Sequence, residues 1–133
     1  MYLPESKVAD AHMSSVLLGD GTRVGRGARV TRSVLGVRSL VGKYVVMDDT
    51  VMLGADYYES ASDRAVQRLA IGVGDGCTIR KAIIDKNARI GMGSAILNKE
   101  GLKEGGDEKQ GWMVVDGVVV VLKGATLMPG TII

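Results

Sequence analysis

Hydrophobic and polar positions along this chain follow a six-residue period. An aliphatic residue, in most repeats followed by glycine, is joined four positions later by a small or β-branched residue. The leading aliphatic positions are Leu18, Val24, Val30, Leu35, Val41, Met47 and Leu53, then Val73, Ile79, Ile84, Ile90 and Ile96, and finally Val121, Leu127 and Ile133. The small positions are Thr22, Ala28, Val34, Ser39, Val45 and Val51, then Cys77, Ile83, Ala88 and Ser94. An amphipathic helix would need steps of three and four, so the pattern predicts short strands.

A six-residue period is typical of a parallel β-helix, in which three short strands and three corners make one coil and successive coils stack. The sequence therefore predicts an all-β fold built from hexapeptide repeats. The glycine after each leading residue is interpreted as supplying the backbone angles of a corner. The resemblance to hexapeptide-repeat proteins implies a left-handed coil, an exception to the usual right-handed crossover.

Three segments lack the repeat. Residues 56–70 place Ser60 three positions before Asp63 and align Ala61, Ala65 and Leu69, which predicts a short capped helix. Residues 98–117 are rich in glycine, lysine and glutamate before Trp112, which predicts one long mobile loop that returns to a strand. Residues 1–13 are interpreted as a linker from an upstream domain, and residues 14–133 as the β-helix.

Composition narrows the class of protein. The 133 residues are 46% hydrophobic but only 4% aromatic, which indicates a single domain with a core of small aliphatic side chains. A formal net charge of +2 without a basic tract gives little support to nucleic-acid or membrane binding. A lone cysteine excludes an internal disulfide framework, and Cys77 falls at an inward small position, where it is expected to pack in the core.

Catalytic chemistry finds little support in the residue inventory. Acyltransferases of this fold use a histidine as general base, and the sole histidine here is His12, ahead of the first predicted coil. Catalytic zinc usually needs three protein ligands, which one histidine and one cysteine do not supply. Asp48, Asp49 and Asp56 are interpreted as turn formers. The sequence therefore predicts neither a catalytic site nor a metal site.

Two lysines stand out when the repeats are placed in phase. Ile84, Ile90 and Ile96 occupy the three sides of one coil, so Val121 returns to the side of Ile84 if residues 98–117 form a bulge. Lys86 comes two positions after Ile84, and Lys123 comes two positions after Val121. The two lysines are therefore expected to stack in neighbouring coils, separated by the strand spacing of about 4.8 Å. Two ammonium groups so close repel each other, and a bound anion removes that cost. The alternative is that both lysine side chains extend into solvent and bind no ligand. Arg38, Arg80, Lys81 and Arg89 add positive charge nearby, which Asp85 partly offsets.

Several stretches resemble a known family over nearly the whole chain. They are GVRS (36–39), MLGADYYES (52–60), AIIDKNARIG (82–91), ILNKEG (96–101) and GVVVVLKGATLMPGTII (117–133). They are similar, in the same order, to the C-terminal domain of glucose-1-phosphate adenylyltransferase, also called ADP-glucose pyrophosphorylase, of the plant, algal and cyanobacterial branch.

The resemblance implies a role in the synthesis of starch or glycogen. That enzyme makes ADP-glucose and pyrophosphate from ATP and glucose 1-phosphate, and its nucleotidyltransferase domain lies upstream. This chain is accordingly expected to be a C-terminal portion, inactive alone and without a cofactor of its own, with Mg²⁺ bound in the catalytic domain. Expected partners are that domain and the subunits of a homo- or heterotetramer, in the plastid stroma or the cyanobacterial cytoplasm.

The resemblance also assigns a role to the lysine pair. The family's IIDKNA and VVVxK stretches match Lys86 and Lys123, and there they contribute to an allosteric site for 3-phosphoglycerate and orthophosphate. This chain departs from the family pattern at Val115 and Asp116, where relatives often have a basic residue ahead of a Ser-Gly dipeptide. Its long loop also lacks an arginine that relatives often carry.

Two alternative functions stay open: a stand-alone β-helix binding or scaffold module, and a small acyltransferase. The NKEG stretch is closer to large subunits, without deciding the type.

Overall fold

The computed structural model describes residues 7–8, 10–59 and 69–133, and these are almost all short strands and corners. In chain order the strands are β1 (Lys7–Val8), β2 (His12–Leu18), β3 (Arg23–Val24), β4 (Arg29–Leu35), β5 (Leu40–Val41), β6 (Val46–Asp48), β7 (Val51–Met52), β8 (Gly72–Val73), β9 (Thr78–Arg80), β10 (Ala82–Ile84), β11 (Arg89–Ile90), β12 (Ala95–Ile96), β13 (Glu104–Asp107), β14 (Trp112–Val115), β15 (Val118–Val121) and β16 (Thr126–Leu127). A 3₁₀ turn spans Glu108–Gln110.

The strands form a three-sided prism. One face is the parallel sheet β1-β3-β5-β8-β11-β16. The long strand β4 turns a corner at Arg32, whose φ is 46°. Its first half pairs with β6 and its second half pairs with β7, so it contributes to the two other faces. The predicted parallel β-helix is confirmed by this stacking.

The interior contains the aliphatic side chains that the period places inward. Val30, Met47, Ile79 and Ile96 have no solvent exposure, and they belong to one continuous buried cluster with the other inward positions. Cys77 is also fully buried, as expected from its place in the repeat. Because each coil contributes only a few such residues, stacking of neighbouring coils is what buries the core.

One corner of the prism is tighter than the six-residue template allows. Inward positions on its two sides are five residues apart, as in Met47 and Met52, and the corner itself is a single residue with positive φ at Ser15, Arg32, Asp49 and Lys81. Four positions predicted to point inward therefore point outward: Val34, Val51, Leu53 and Ile83. The buried neighbours are Ser33, Thr50 and Ala82 instead, and Met52 replaces Leu53 as the inward aliphatic residue.

The glycines that follow the inward residues are needed for a different reason from the one expected. At Gly36 and Gly42 the backbone φ is not positive. A Cβ atom at Gly36 would lie 2.6 Å from the Leu53 carbonyl oxygen, and one at Gly42 would lie 2.7 Å from the Asp75 nitrogen. Close approach of the next coil, not unusual corner angles, excludes a side chain at these two positions.

The interruptions differ in part from their predictions. Lys7–Val8 and His12–Leu18 already pair with later strands, so the coil extends into the stretch interpreted as a linker. The predicted helix falls on residues 60–68, which lie outside the described residues. Residues 98–117 contain two paired antiparallel strands, β13 and β14, where the sequence predicts a mobile loop that returns to a strand. Strand β14 also pairs antiparallel with β15, so the two strands extend the sheet that contains β15.

Candidate anion-binding site

The register of two neighbouring strands brings the two predicted lysines together. Ile84 of β10 pairs with Val121 of β15, as the phase argument predicts. The next corners also stack, because the Gly124 amide donates to the Lys86 carbonyl oxygen at 2.9 Å. Lys86 and Lys123 are both exposed and occupy equivalent places in adjacent coils, one strand spacing apart along the stack. We call this surface, with Asp56 and Asn87, the lysine corner.

A carboxylate lies within the lysine corner. Asp56 Oδ1 is 3.4 Å from Lys86 Nζ, and the Asn87 amide group donates to Asp56 Oδ2 at 3.1 Å. The Asp56 backbone N–H donates in turn to Asn87 Oδ1 at 3.0 Å. These hydrogen bonds, from Asn87 first and Lys86 second, lower the pKa of Asp56, and the charge of Lys123 acts in the same direction. Asp56 therefore stays ionised and partly neutralises both lysines.

Sequence reasoning missed Asp56 and Asn87 as members of this site. The sequence predicts only a turn at Asp56, and it assigns no role to Asn87. The signal was present in the repeat, since Met52 pairs with Ile84 and the two residues that follow each strand stack as well. Extending the phase by one more coil places the start of the 56–70 insertion beside Lys86 and Asn87.

The same insertion is held to the coil by a second, buried ion pair. Arg89 Nη1 lies 2.8 Å from Glu59 Oε2, and the exposed fractions of the two side chains are only 10% and 3%. Arg89 also donates to the Leu69 carbonyl oxygen at 2.6 Å, and Glu59 accepts from the Ile71 N–H. Both ends of the insertion are thus tied to one guanidinium group.

The arginines that the sequence analysis associates with the lysine pair make other contacts in the structure. Arg38 donates to the Ala55 carbonyl oxygen at 3.0 Å and lies over the Tyr58 ring, which Arg23 also contacts. Arg89 is buried with Glu59, and Arg80 lies on a different face of the prism. Among the residues that the structure describes, none of these guanidinium groups joins Lys86 and Lys123, whose ammonium groups supply the positive charge of the lysine corner.

Other site chemistries find no support in the part of the chain that the structure describes. It contains no group of three histidine, cysteine or acidic side chains placed to hold a metal. Burial raises the pKa of the Cys77 thiol, which therefore remains protonated and unreactive. No helix among the described residues is long and apolar enough to cross a membrane.

A three-sided coil of short parallel strands stacked around an aliphatic core is the architecture of hexapeptide-repeat β-helix proteins. The family model described as the GLGC left-handed parallel beta-helix domain matches residues 1–132. The chain belongs to this family, the C-terminal β-helix domain of glucose-1-phosphate adenylyltransferase. The match confirms the family inferred from the sequence and the left-handed coil.

Proposed function

We propose that this β-helix is the regulatory and assembly domain of an ADP-glucose-forming adenylyltransferase, and that its lysine corner binds anionic effectors. The observation that supports the proposal most is the pairing of Ile84 with Val121, which stacks Lys86 on Lys123. Both side chains are exposed, so both ammonium groups are accessible to a ligand. The matching stretches IIDKNA and VVVLK lie at this corner.

The electrostatics favour a compact, multiply charged anion. Two unit charges about 5 Å apart repel by roughly 1 kcal/mol in water and by more where water is partly excluded. Asp56 carries one negative charge and contacts Lys86, so it offsets only part of this repulsion. A phosphate group carries nearly two charges and several acceptor oxygens, and it forms charge-assisted hydrogen bonds with both ammonium groups. 3-Phosphoglycerate and orthophosphate fit this description.

Regulation then follows from linkage. An effector that binds one arrangement of the β-helix and its nucleotidyltransferase domain more tightly than another shifts the population toward that arrangement. The lysine corner contains Asp56, the first residue of the 56–70 insertion, so ligand exchange at Lys86 acts directly on the start of that insertion. The partners in this proposal are the nucleotidyltransferase domain, where Mg²⁺ would bind, and the other subunits of a tetramer.

The biological setting is part of the same proposal. An enzyme of this type supplies ADP-glucose for starch in the plastid stroma, or for glycogen in cyanobacterial cytoplasm. The β-helix contributes no catalytic group in this scheme, since the exposed His12 and the buried Cys77 are the sole residues of their types. Its contribution is effector binding and subunit contact.

Effector response in the adenylyltransferase that carries this domain tests the proposal. The double variant Lys86→Ala/Lys123→Ala should lose most of its activation by 3-phosphoglycerate while the basal rate of ADP-glucose formation stays within about twofold. The matched control Lys43→Ala/Lys109→Ala removes two exposed lysines elsewhere and should respond normally. An unchanged response in the first variant would contradict the proposal and favour a β-helix that only mediates assembly.

A further inference from the structure

A second cationic surface lies on a different face of the prism. Strand β6 (Val46–Asp48) is paired on one side with β4 and on the other with β9. Arg29 of β4 stands beside Val46, and Arg80 of β9 stands beside Asp48. These residues line a cavity of about 330 Å³ together with His12, Thr31, Arg32 and Met47. We call this surface the arginine groove.

The carboxylate in the arginine groove is already fully engaged. Asp48 accepts from the Thr31 hydroxyl at 2.5 Å and from Arg32 Nε at 3.1 Å, and Arg32 Nη2 contacts its second oxygen. These bonds, with Arg32 first, lower the pKa of Asp48, so it remains an anion committed to Arg32. Asp49 adds to the negative charge around Arg32 but does not line the cavity.

Two guanidinium groups in the groove are left without such a partner. Arg29 and Arg80 are exposed, and within the described ranges 7–8, 10–59 and 69–133 neither side chain has a hydrogen bond or an ion pair. Counting formal charges, the three arginines that line the groove outweigh Asp48 by two. The Coulomb effect of Arg80 on Asp48 shows that its charge already acts on the middle of the groove.

The spacing selects the kind of ligand. Arg29 and Arg80 are two strands apart, about 10 Å along the stack, and each side chain is long enough to lean over β6. Guanidinium groups bind phosphate and carboxylate oxygens through paired N–H donors. Val46, exposed by 36%, supplies an apolar floor between them. A molecule with two anionic groups joined by a short spacer spans this distance.

We propose that the arginine groove binds a small phosphorylated metabolite carrying two anionic groups, at a site separate from the lysine corner. Arg29 and Arg80 hold one acidic group each, and Asp48 keeps Arg32 turned toward the groove. The proposal does not depend on the lysine corner, because no residue is shared between the two surfaces and they lie on different faces of the coil.

Inorganic pyrophosphate is a suitable probe, and binding to the 133-residue chain is measured by NMR titration in 0.15 M salt. Lys86→Ala/Lys123→Ala serves as the background, so that the lysine corner does not contribute. The amide signals of Arg29, Asp48 and Arg80 should shift together with a dissociation constant below about 1 mM. Arg29→Ala/Arg80→Ala should weaken this binding at least tenfold.

Two controls separate geometry from charge. Arg26→Ala removes an exposed arginine outside the groove and should leave pyrophosphate binding unchanged. Arg29→Lys/Arg80→Lys keeps the charge but loses the paired donors. Its affinity for pyrophosphate should therefore lie between that of the background protein and that of Arg29→Ala/Arg80→Ala. Unchanged melting temperatures establish that each variant is folded. The proposal is wrong if groove signals do not shift up to 10 mM pyrophosphate, or if Arg29→Ala/Arg80→Ala binds as well as its background.

Discussion

Among the described residues, two ion pairs join the start of the 56–70 insertion to the β-helix, and they differ in burial. Arg89 and Glu59 are almost completely enclosed, and backbone groups of Leu69 and Ile71 bond to the same two side chains. Lys86 and Asp56 are about half exposed and lie 3.4 Å apart. The buried pair is a fixed anchor, because removing either partner leaves a charge without water or a counterion.

The exposed pair can exchange partners at low cost. A solvent-accessible ion pair contributes little stability, since each charge is nearly as well accommodated by water. In the proposed effector site, an incoming phosphate would therefore compete with Asp56 for Lys86, while Asn87 would continue to hold the carboxylate. The contrast is what the proposal requires: Arg89 and Glu59 hold the insertion in place, and the exposed Lys86 and Lys123 are accessible to solvent.

Breaking the buried pair should have the largest effect. Arg89→Ala should lower the free energy of unfolding by about 3–5 kcal/mol, because Glu59 would be left buried without its partner. Urea unfolding monitored by circular dichroism measures this change. The exposed control Arg26→Ala should change stability by no more than about 0.5 kcal/mol. Equal stability of the two variants would show that the buried pair is not an anchor.

Removing the competing carboxylate should strengthen anion binding. Asp56→Asn keeps a polar side chain beside Asn87 but deletes the negative charge 3.4 Å from Lys86 that an incoming anion has to displace. Orthophosphate should then bind the lysine corner about fivefold more tightly, as measured by NMR titration. Asp49→Asn removes an exposed charge at another corner and should have no such effect. Weaker binding to Asp56→Asn would contradict the competition.

Deleting the exposed lysines should have a small effect on folding. Lys86→Ala/Lys123→Ala should alter the free energy of unfolding by less than about 1 kcal/mol, since the Lys86–Asp56 pair is open to solvent. Relief of the repulsion between the two lysines offsets part of the loss. Thermal unfolding at neutral pH measures the change, and a loss as large as that of Arg89→Ala would remove the distinction between anchor and exchangeable pair.

Acid should remove the smallest contribution. The folded-state pKa of Asp56 is lowered by Asn87 and Lys86, so its stabilisation is present above the unfolded value of about 3.9. It is lost as the pH falls through the folded pKa. The stability of Asp56→Asn relative to the unmodified chain should therefore improve between about pH 5 and pH 2, as measured by urea unfolding. A constant difference over that interval would contradict the cause assigned to the shift.

Much of the fold follows from the period, and the errors share one physical cause. Core-facing residues are six positions apart across two of the three corners of a coil, and this spacing is visible in the sequence. The third corner has one residue fewer, because a single residue with positive φ at Arg32, Asp49 or Lys81 turns the chain. The six-residue template therefore assigned Val34 and Ile83 to the core, although they point outward.

The candidate site was predictable as far as stacking determines it. Lys86 and Lys123 follow paired strands, so their neighbourhood can be read from the phase of the repeat. The period places the start of the 56–70 insertion beside Lys86, but it does not determine the contact of the Asp56 side chain with Lys86, because the repeat ends there. The sequence does not predict that Arg29 and Arg80 lie on one surface, because they belong to strands that are not adjacent. Strand β6 lies between them, and Asp48 is its one charged residue.

A titration of the 133-residue chain with orthophosphate tests the central claim most directly. Amide and side-chain NMR signals of Asp56, Lys86, Asn87 and Lys123 are followed in 0.15 M salt. If phosphate binds between the lysines, these signals shift together with one dissociation constant, and Lys86→Ala/Lys123→Ala abolishes the shifts while Lys43→Ala/Lys109→Ala retains them. Signals at the lysine corner that stay unchanged while phosphate reaches 10 mM would contradict an anion site formed by Lys86 and Lys123.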